Sequence, residues 1–408
     1  MYKDVLVDTV KEVKVKSTFS STSSLIKPRF ESIDFLRGLV MVLMALDHTR
    51  DFFSNVRFDP LDLSQTSVAL FLTRWITHFC APVFVFLAGT SAFLSMSRGK
   101  SKNDLSKFLL TRGLFLVLME LTLVRWGWSF GFDYTLLVGQ VIWALGWSMV
   151  FLSILVRLPI KILAAFSLIM IFTHNLFDNI TPEQFGSFGW LWNIFHFGNA
   201  INLSDGYIFF AAYPLIPWIG VMAAGYCFGT IFKLETEKRN KILFWLGIGL
   251  TAAFVLIRLI NFYGDANKWT SQPNFIFTIL DFIDTTKYPP SLLYLLMTLG
   301  PSIYILYLLE KYKGFDKSFF IVFGRVPMFY YLLHVPVIHL LAVLIANATG
   351  VNPDFMFRSF PFFWETDWGY SLPAVYLVWI VVVVGLYPVC YLYKNFKEQK
   401  KYKVLSYF

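Results

Sequence analysis

The stretch Gly38–Phe53, GLVMVLMALDHTRDFF, decides how the chain is placed relative to a membrane. Its first half is apolar and is typical of a helix that faces lipid. Its second half carries Asp47, His48, Arg50 and Asp51 at a depth where the bilayer should continue. Ionisable side chains inside a membrane are costly and usually serve a function. The stretch therefore predicts a spanning helix whose outer end belongs to a functional site.

The composition indicates that the whole chain is a membrane protein. Of its 408 residues, 57% are hydrophobic and 15% are charged, whereas soluble domains carry about 25% charged residues. A membrane span needs about 20 mostly apolar residues. The fold class expected is all-α, a polytopic transmembrane helical bundle of about ten spans. The candidate spans are residues 33–54, 68–96, 107–126, 135–157, 160–176, 207–232, 242–263, 291–310, 318–346 and 371–393.

The distribution of positive charge sets the orientation of these spans. If the N-terminus is inside, the inside segments hold 24 Lys and Arg and the outside segments hold 4. This asymmetry follows the positive-inside rule and places both termini in the cytoplasm. It also accounts for the net charge of +9 without nucleic acid as a partner. The segment 275–283 is too short to span and is expected to be re-entrant or interfacial.

The chain is predicted to contain one membrane domain between two tails. Residues 1–28 are polar and rich in Lys, Ser and Thr, which predicts a flexible cytoplasmic tail. Residues 29–393 form the transmembrane domain, and residues 394–408 form a basic cytoplasmic tail. The expected location is a membrane, with the lipid bilayer as a partner. The sequence leaves open whether the chain forms a homo-oligomer.

Three histidines from three spans are predicted to lie in one layer. At a rise of 1.5 Å per residue, His48 lies roughly 22 Å from the inner end of its span, and His334 roughly 24 Å. His78 lies roughly 15 Å below the outer surface. An imidazole with a pKa near 6.5 is suited to general base catalysis. Four further polar residues belong to the same outer half: Arg74, Glu120, Arg125 and Gln140.

The sixth span is expected to line a cavity together with this layer. Its stretch YPLIPWIG, Tyr213–Gly220, contains Pro214 and Pro217, which interrupt helical hydrogen bonds. Broken backbone at membrane depth is tolerated where it faces protein or a cavity. Tyr213 and Trp218 are therefore candidate cavity residues, although a plain kink is the alternative.

A second, positively charged layer is predicted near the cytoplasmic side. It consists of Arg37, Arg112 and Arg325. Arginine binds phosphate through several planar donors, so these residues are candidates for binding a phosphate-bearing donor molecule. The donor would enter from the cytoplasm, and an acceptor would reach the histidines from outside. The alternative is that the arginines extend to lipid headgroups.

Other functions compete with this interpretation. The same His, Asp and Glu layer could relay protons in a transporter or channel. A purely structural role for the polar pairs is also open. No HExxH motif or tight ligand spacing is present, so no metal is expected. Of His334 and His339, one is expected to be structural, as are His174 and His196.

Five blocks of sequence resemble a known family. This family comprises bacterial membrane proteins related to the catalytic domain of heparan-α-glucosaminide N-acetyltransferase, within the transmembrane acyltransferase superfamily. The blocks are Arg29–Phe53 (RFESIDFLRGLVMVLMALDHTRDFF), Arg74–Gly99 (RWITHFCAPVFVFLAGTSAFLSMSRG), Tyr213–Gly229 (YPLIPWIGVMAAGYCFG), Lys287–Ser302 (KYPPSLLYLLMTLGPS) and Phe323–Ala342 (FGRVPMFYYLLHVPVIHLLA).

The resemblance implies transfer of an acetyl or other acyl group from cytoplasmic acetyl-CoA. The acceptor would be an amine or hydroxyl of an extracytoplasmic sugar or glycan, and the expected membrane is a bacterial inner membrane. The sequence departs from the family pattern at His48. The lysosomal heparan-α-glucosaminide N-acetyltransferase, which it otherwise resembles, has Asn at the matching position. The catalytic set predicted here is His48 as base, supported by Asp47 and His78, with His334 in the same layer.

Overall fold

A computed structural model describes residues 29–97, 99–312, 314, 318–364, 366–400, 402, 405 and 407. From Glu31 onward the described chain forms one compact unit. The predicted tail 1–28 lies outside the described residues. The helices are α1 (Glu31–Phe53), α2 (Val68–Ile76), α3 (Cys80–Ser97), α4 (Lys102–Met119), α5 (Arg125–Ser129), α6 (Val141–Leu155), α7 (Ile160–Thr173), α8 (Gly189–Trp192), α9 (Leu215–Phe228), α10 (Thr236–Ile260), α11 (Phe275–Ile283), α12 (Leu292–Lys311), α13 (Phe319–Arg325), α14 (Pro327–Ala348) and α15 (Leu372–Gln399).

The predicted all-α polytopic membrane fold is confirmed. Within the described residues, seven helices are long and apolar enough to cross a membrane. The span count of ten, the cytoplasmic termini and the domain limits stay predictions. The seven helices are Val68–Ser97, Ile160–Phe177, Leu215–Lys233, Thr236–Ile260, Leu292–Lys311, Pro327–Ala348 and Leu372–Gln399.

In the predicted spans 135–157 and 207–232, the helices α6 and α9 begin later than expected because short strands precede them. The strands are β1 (Leu136–Val138), β2 (Ala200–Ser204) and β3 (Tyr207–Phe210). They form one sheet in the order β1-β3-β2, with β1 parallel and β2 antiparallel to β3. A short apolar run is compatible with a buried strand as well as with a helix. For this reason the helices predicted from composition began several residues too early. The sheet contributes one wall of a large cavity.

The predicted ninth span is divided into two helices, α13 and α14. Val326 between them has φ −131° and ψ 47°, outside the helical region. The next residue is Pro327, and proline disfavours helical geometry in the residue before it. The break turns α13 against α1, where Arg37 of α1 can reach the backbone of α13.

Glycines allow α1 and α13 to cross with their backbones in contact. A Cβ atom on Gly38 would lie 1.8 Å from the carbonyl oxygen of Phe320. A Cβ atom on Gly324 would lie 1.8 Å from the carbonyl oxygen of Asp34. Small residues permit such close approach between membrane helices. This crossing fixes the inner half of α1, whose outer half carries His48.

The loop between α10 and α12 is anchored by one buried arginine. Arg258 is 1% exposed and donates hydrogen bonds to four backbone carbonyls of the loop. One of the acceptors is the carbonyl of Asp284, at 2.5 Å. Burial, and then the nearby carboxylates of Asp265 and Asp59, raise the pKa of the Asp284 side chain to about 7. The loop therefore contains a carboxyl group that is destabilising when ionised.

Asp284→Asn is expected to stabilise the protein in a pH-dependent way. Between about pH 4 and pH 7 the folded state keeps a proton on Asp284 that the unfolded state releases, so stability falls as the pH rises through this window. The variant removes that loss, so its gain in apparent Tm grows from pH 4 to pH 7 and then levels off. Thermal unfolding at pH 4, 6 and 8 checks this, with Asp205→Asn in an exposed turn as control. An equal gain at all three pH values contradicts the prediction.

Candidate functional site

Two cavities meet inside the bundle, and we name them after the predicted orientation. The outer cavity has a volume of about 1090 Å³, and the inner cavity about 230 Å³. The outer ends of α1 and α2, the sheet and the loop before α12 line the outer cavity. The inner cavity lies among α1, α3, α4, α6 and α14. Phe84 and Val141 line both cavities, so they form the partition between them.

Two buried histidines form a hydrogen-bonded pair at the wall of the outer cavity. His48 Nδ1 lies 2.7 Å from His334 Nε2, and the rings are stacked with centroids 4.9 Å apart. His334 Nδ1 lies 3.0 Å from the carbonyl oxygen of Tyr330. His48 lines the outer cavity, whereas His334 is fully buried behind it. The structure thus brings together two of the three histidines of the predicted layer.

The hydrogen bonds assign the tautomers of both rings. A carbonyl oxygen only accepts, so His334 must donate through Nδ1 and keep a lone pair on Nε2. His48 must then donate through Nδ1, which leaves a lone pair on its own Nε2. Within the described part of the chain, His48 Nε2 has no hydrogen-bond partner. The chain of bonds therefore presents an unprotonated nitrogen at the cavity wall.

Aromatic rings connect His48 to the inner cavity. Trp128 packs edge-on against the His48 ring, with centroids 4.8 Å apart. Tyr331 lies 6.3 Å from the His48 ring and 5.4 Å from the His334 ring. Tyr331 also lines the inner cavity. His48 thus lies at the outer cavity, one ring away from the inner one.

Asp47 contacts arginines rather than His48. Its carboxylate accepts hydrogen bonds of 2.6 and 2.8 Å from Arg74, and Arg50 lies 3.0 Å away. Neighbouring residues of a helix point about 100° apart, so Asp47 and His48 face different neighbours. The expected Asp47–His48 pair is therefore replaced by the His48–His334 pair. Asp47 and Arg74 both line the outer cavity.

His78 is buried away from the histidine pair. It is fully buried, and neither ring nitrogen has a hydrogen-bond partner in the described structure. Its ring packs edge-on against Tyr294, whose hydroxyl donates to the His78 carbonyl oxygen at 2.8 Å. His78 is absent from the lining of both cavities. Its supporting role stays a prediction that this placement does not favour.

Three predicted cavity residues of the outer half have different surroundings. Glu120 lies in a π-helical turn and accepts the backbone N–H of Trp143 at 3.0 Å, at the N-terminus of α6. The side chain thereby pairs one of the backbone N–H groups that a helix leaves open at its N-terminus. Arg125 donates to the carbonyls of Leu136 and Gly131, which fastens the loop before α6. Of the three, only Gln140 lines the outer cavity.

The two aromatic candidates near α9 lie one behind the other. Tyr213 lines the outer cavity, and its hydroxyl oxygen is 3.3 Å from that of Tyr288. Trp218 is fully buried and packs against the Tyr213 ring at 5.7 Å. Tyr213 is therefore placed to contact a ligand, and Trp218 supports it from behind.

The inner cavity contains two of the three predicted arginines. Arg37 donates to Gly324 O at 3.0 Å and to Ser91 Oγ at 2.8 Å. Arg112 lines the same cavity, and its buried Nε has no hydrogen-bond partner in the described residues. Lys100 adds a third positive charge, and partial burial, then Arg112, lower its pKa. The inner cavity, on the predicted cytoplasmic side, is therefore positively charged.

Arg325 lies outside both cavities. Its guanidinium is 3.0 Å from Glu398 on α15 and 3.7 Å from Asp34 on α1. The helix break after Arg325, which the sequence analysis did not anticipate, directs it toward these carboxylates. Arg37, 3.5 Å from the same Asp34, shares this carboxylate with Arg325. Arg325 thus lies beside Arg37 without lining the cavity that Arg37 and Arg112 line, and its donor-binding role stays a prediction.

Sequence reasoning missed several residues that line the cavities. Lys287 and Arg57 belong to the four Lys and Arg predicted on the outside, and both line the outer cavity. Their position against the positive-inside rule was a usable signal. Trp128 and Tyr331 carried no such signal, because aromatic residues are abundant throughout the chain.

Comparison with known families identifies the family of the chain. A family model described as heparan-alpha-glucosaminide N-acetyltransferase, catalytic, matches residues 29–264, which is more than half of the chain. The chain belongs to this family. The predicted resemblance to the N-acetyltransferase family is thus confirmed, and the matched range includes His48, Arg74 and Arg112. His334 and the last two resembling blocks lie beyond the matched range of the N-acetyltransferase family. No curated protein matches the chain in sequence.

Proposed function

We propose that this integral membrane protein is an acyltransferase of the N-acetyltransferase family, acting in a bacterial inner membrane. It transfers an acetyl or other acyl group from cytoplasmic acetyl-CoA to an amine or hydroxyl of an extracytoplasmic sugar or glycan. The observation that carries the proposal is the position of His48, whose unprotonated Nε2 lies at the outer cavity while its ring neighbours Tyr331 of the inner one. A base at the junction of two cavities fits a reaction between substrates from opposite sides.

His48 acts as the general base in this proposal. Its Nε2 takes the proton of the acceptor amine or hydroxyl while that atom attacks the thioester carbonyl carbon. A new C–N or C–O bond forms, the C–S bond breaks, and the thiolate leaves toward the cytoplasm. His334 is a positioning residue, because its Nε2 accepts the Nδ1–H of His48 and keeps the lone pair of Nε2 directed to the cavity.

The inner cavity fits the donor by its charge. Arg112 has a buried N–H donor without a partner in the described residues, and a phosphate oxygen would satisfy it. Lys100 and Arg37 line the same cavity and add positive charge. These three residues would hold the phosphates of acetyl-CoA, and the thioester would then lie toward the partition.

A transfer assay tests the proposed function. The purified protein is incubated with acetyl-CoA and a panel of amino sugars and cell-envelope glycans, and free CoA is measured. Release of CoA that depends on an acceptor, with an acylated product detected by mass spectrometry, supports the acyltransferase. Solute flux through proteoliposomes without acetyl-CoA, and no CoA release, supports a proton-coupled transporter or channel instead.

Arg112→Gln is expected to raise the KM for acetyl-CoA by about 10- to 100-fold, the effect of losing one charge-assisted hydrogen bond. The kcat should change little, because Arg112 lies in the inner cavity, away from His48. Initial rates at varied donor concentration provide the measurement. Arg157→Gln is the control, because Arg157 is exposed and lines neither cavity. Equal KM values for wild type and the Arg112 variant would remove Arg112 from the donor site.

A further inference from the structure

The charges at the wall of the outer cavity are mostly paired. Asp47 is held by Arg74 at 2.6 Å and by Arg50 at 3.0 Å. Asp51 is held by Arg50 at 2.6 Å. Two arginines thus neutralise two carboxylates, and all four side chains line the cavity. A further carboxylate of the lining, Asp59, is exposed and makes no ion pair within the described residues.

Lys287 is a further cation of the same wall, and it has no ionic partner. Its side chain lines the cavity and is only 8% exposed. Within the described residues its ammonium group makes no ion pair or hydrogen bond, and it lies 5.1 Å from the centroid of the Tyr288 ring. A buried cation without a partner is strongly unfavourable unless a ligand compensates it. The second unsatisfied donor of this wall is Arg50 Nη1, which is buried without a partner.

The backbone holds Lys287 firmly in this place. Asp265 accepts the backbone N–H of Thr286 at 2.9 Å and the hydroxyl of Ser291 at 2.6 Å. Ser291 N–H in turn donates to the Thr286 carbonyl at 2.9 Å, which closes the turn around Lys287. Asp265 is itself 4% exposed. A fixed turn that presents an unpaired cation to a cavity is a preorganised site for an anion.

We propose that Lys287 binds an acidic group of the acceptor, namely a carboxylate, a phosphate ester or a sulfate ester. The acceptor is then an acidic sugar or glycan unit rather than a neutral one. The identification of the ligand as the acceptor rests on the proposed function, whereas the anion site itself does not. Lys287, Arg50 and His48 all line the outer cavity, in which the acceptor would bind.

A binding experiment on the full-length protein in detergent tests the anion site without catalysis. Isothermal titration calorimetry compares D-glucosamine with D-glucosamine 6-phosphate, D-glucosamine 6-sulfate and muramic acid. Wild type is expected to bind at least one acidic sugar about 10- to 100-fold more tightly than D-glucosamine. Lys287→Gln loses this preference, Lys287→Arg keeps most of it, and the control Arg358→Gln, at an exposed outer position, keeps all of it. The affinities of the phosphate, sulfate and carboxylate sugars show which acidic group Lys287 prefers.

Transfer rates separate the failure of this inference from the failure of the proposed function. Equal affinity of wild type for neutral and acidic sugars overturns the inference, as does an unchanged preference in Lys287→Gln. A loss of kcat in Lys287→Gln that is as large with D-glucosamine as with the acidic sugars also overturns it, because Lys287 would then act on the reacting carbonyl. Tight binding of an acidic sugar without any CoA release leaves the anion site in place and overturns the acyltransferase.

Discussion

His48→Ala is expected to lower kcat for acyl transfer by about 10²- to 10⁴-fold, the usual contribution of a general base. Of the two histidines of the pair, His48 lines the outer cavity and His334 does not, and Nε2 is the ring nitrogen of His48 that the pair leaves available. Acetyl-CoA should bind the variant as tightly as wild type, because His48 is not part of the inner cavity lining. Free CoA release and donor titration measure the two quantities separately.

His334 variants show whether the pair works as the hydrogen bonds indicate. His334→Gln can still accept the Nδ1–H of His48 through its amide oxygen, so it should retain more activity than His334→Ala. The control is His339→Gln, because His339 stacks on Phe130 and bonds the Gly127 carbonyl, away from the pair. Full activity of His48→Ala, or equal rates in both His334 variants, would contradict the proposed base.

Gly38→Ala is expected to destabilise the protein by about 3 kcal/mol or more, or to prevent its folding, as severe overpacking does. The added methyl group would lie 1.8 Å from the Phe320 carbonyl oxygen, and backbone cannot move aside as a flexible side chain can. Relief requires α1 and α13 to separate, which also breaks the bond from Arg37 to Gly324. The yield of monodisperse protein and the apparent Tm report this effect.

Two other helix glycines provide matched controls for Gly38→Ala. At Gly249 of α10 and Gly385 of α15, a Cβ atom meets nothing within 4 Å. Alanine there removes a poor helix former without a clash, so stability should hold or increase by up to about 1 kcal/mol. If all three alanine variants behave alike, the close crossing of α1 and α13 does not limit stability.

The sequence was sufficient to predict the helical bundle and one layer of its chemistry. Long apolar runs are specific for spanning helices, and a polar residue such as His48 within one is conspicuous. Depth along a helix follows from residue counts, which is why His48 and His334 were placed in one layer. The family resemblance was visible in blocks around these residues. The spans and the histidine layer depend only on distance along single helices, and the resemblance depends only on local sequence.

Partners across the bundle could not be predicted in the same way. Depth does not give the direction in which a side chain points, so Asp47 was assigned to His48 although it binds Arg74. The break at Val326, which directs Arg325 toward Glu398, depends on one proline in an apolar run. Lys287 reaches the cavity only because the Asp265 turn carries it there. These outcomes depend on how helices and loops pack, which a single sequence does not specify.

The thin partition of Phe84 and Val141 has an electrical consequence. An enzyme with aqueous chambers on both sides of a membrane must pass an acyl group without leaking ions. Within the described residues, no ionisable side chain lines both chambers. Two charged, solvent-accessible cavities conduct ions, and the apolar layer between them does not. The transmembrane voltage therefore drops most steeply across this layer. In the proposed reaction the neutral thioester would cross this layer, which opposes the passage of protons and sodium, and the membrane would stay energised during turnover.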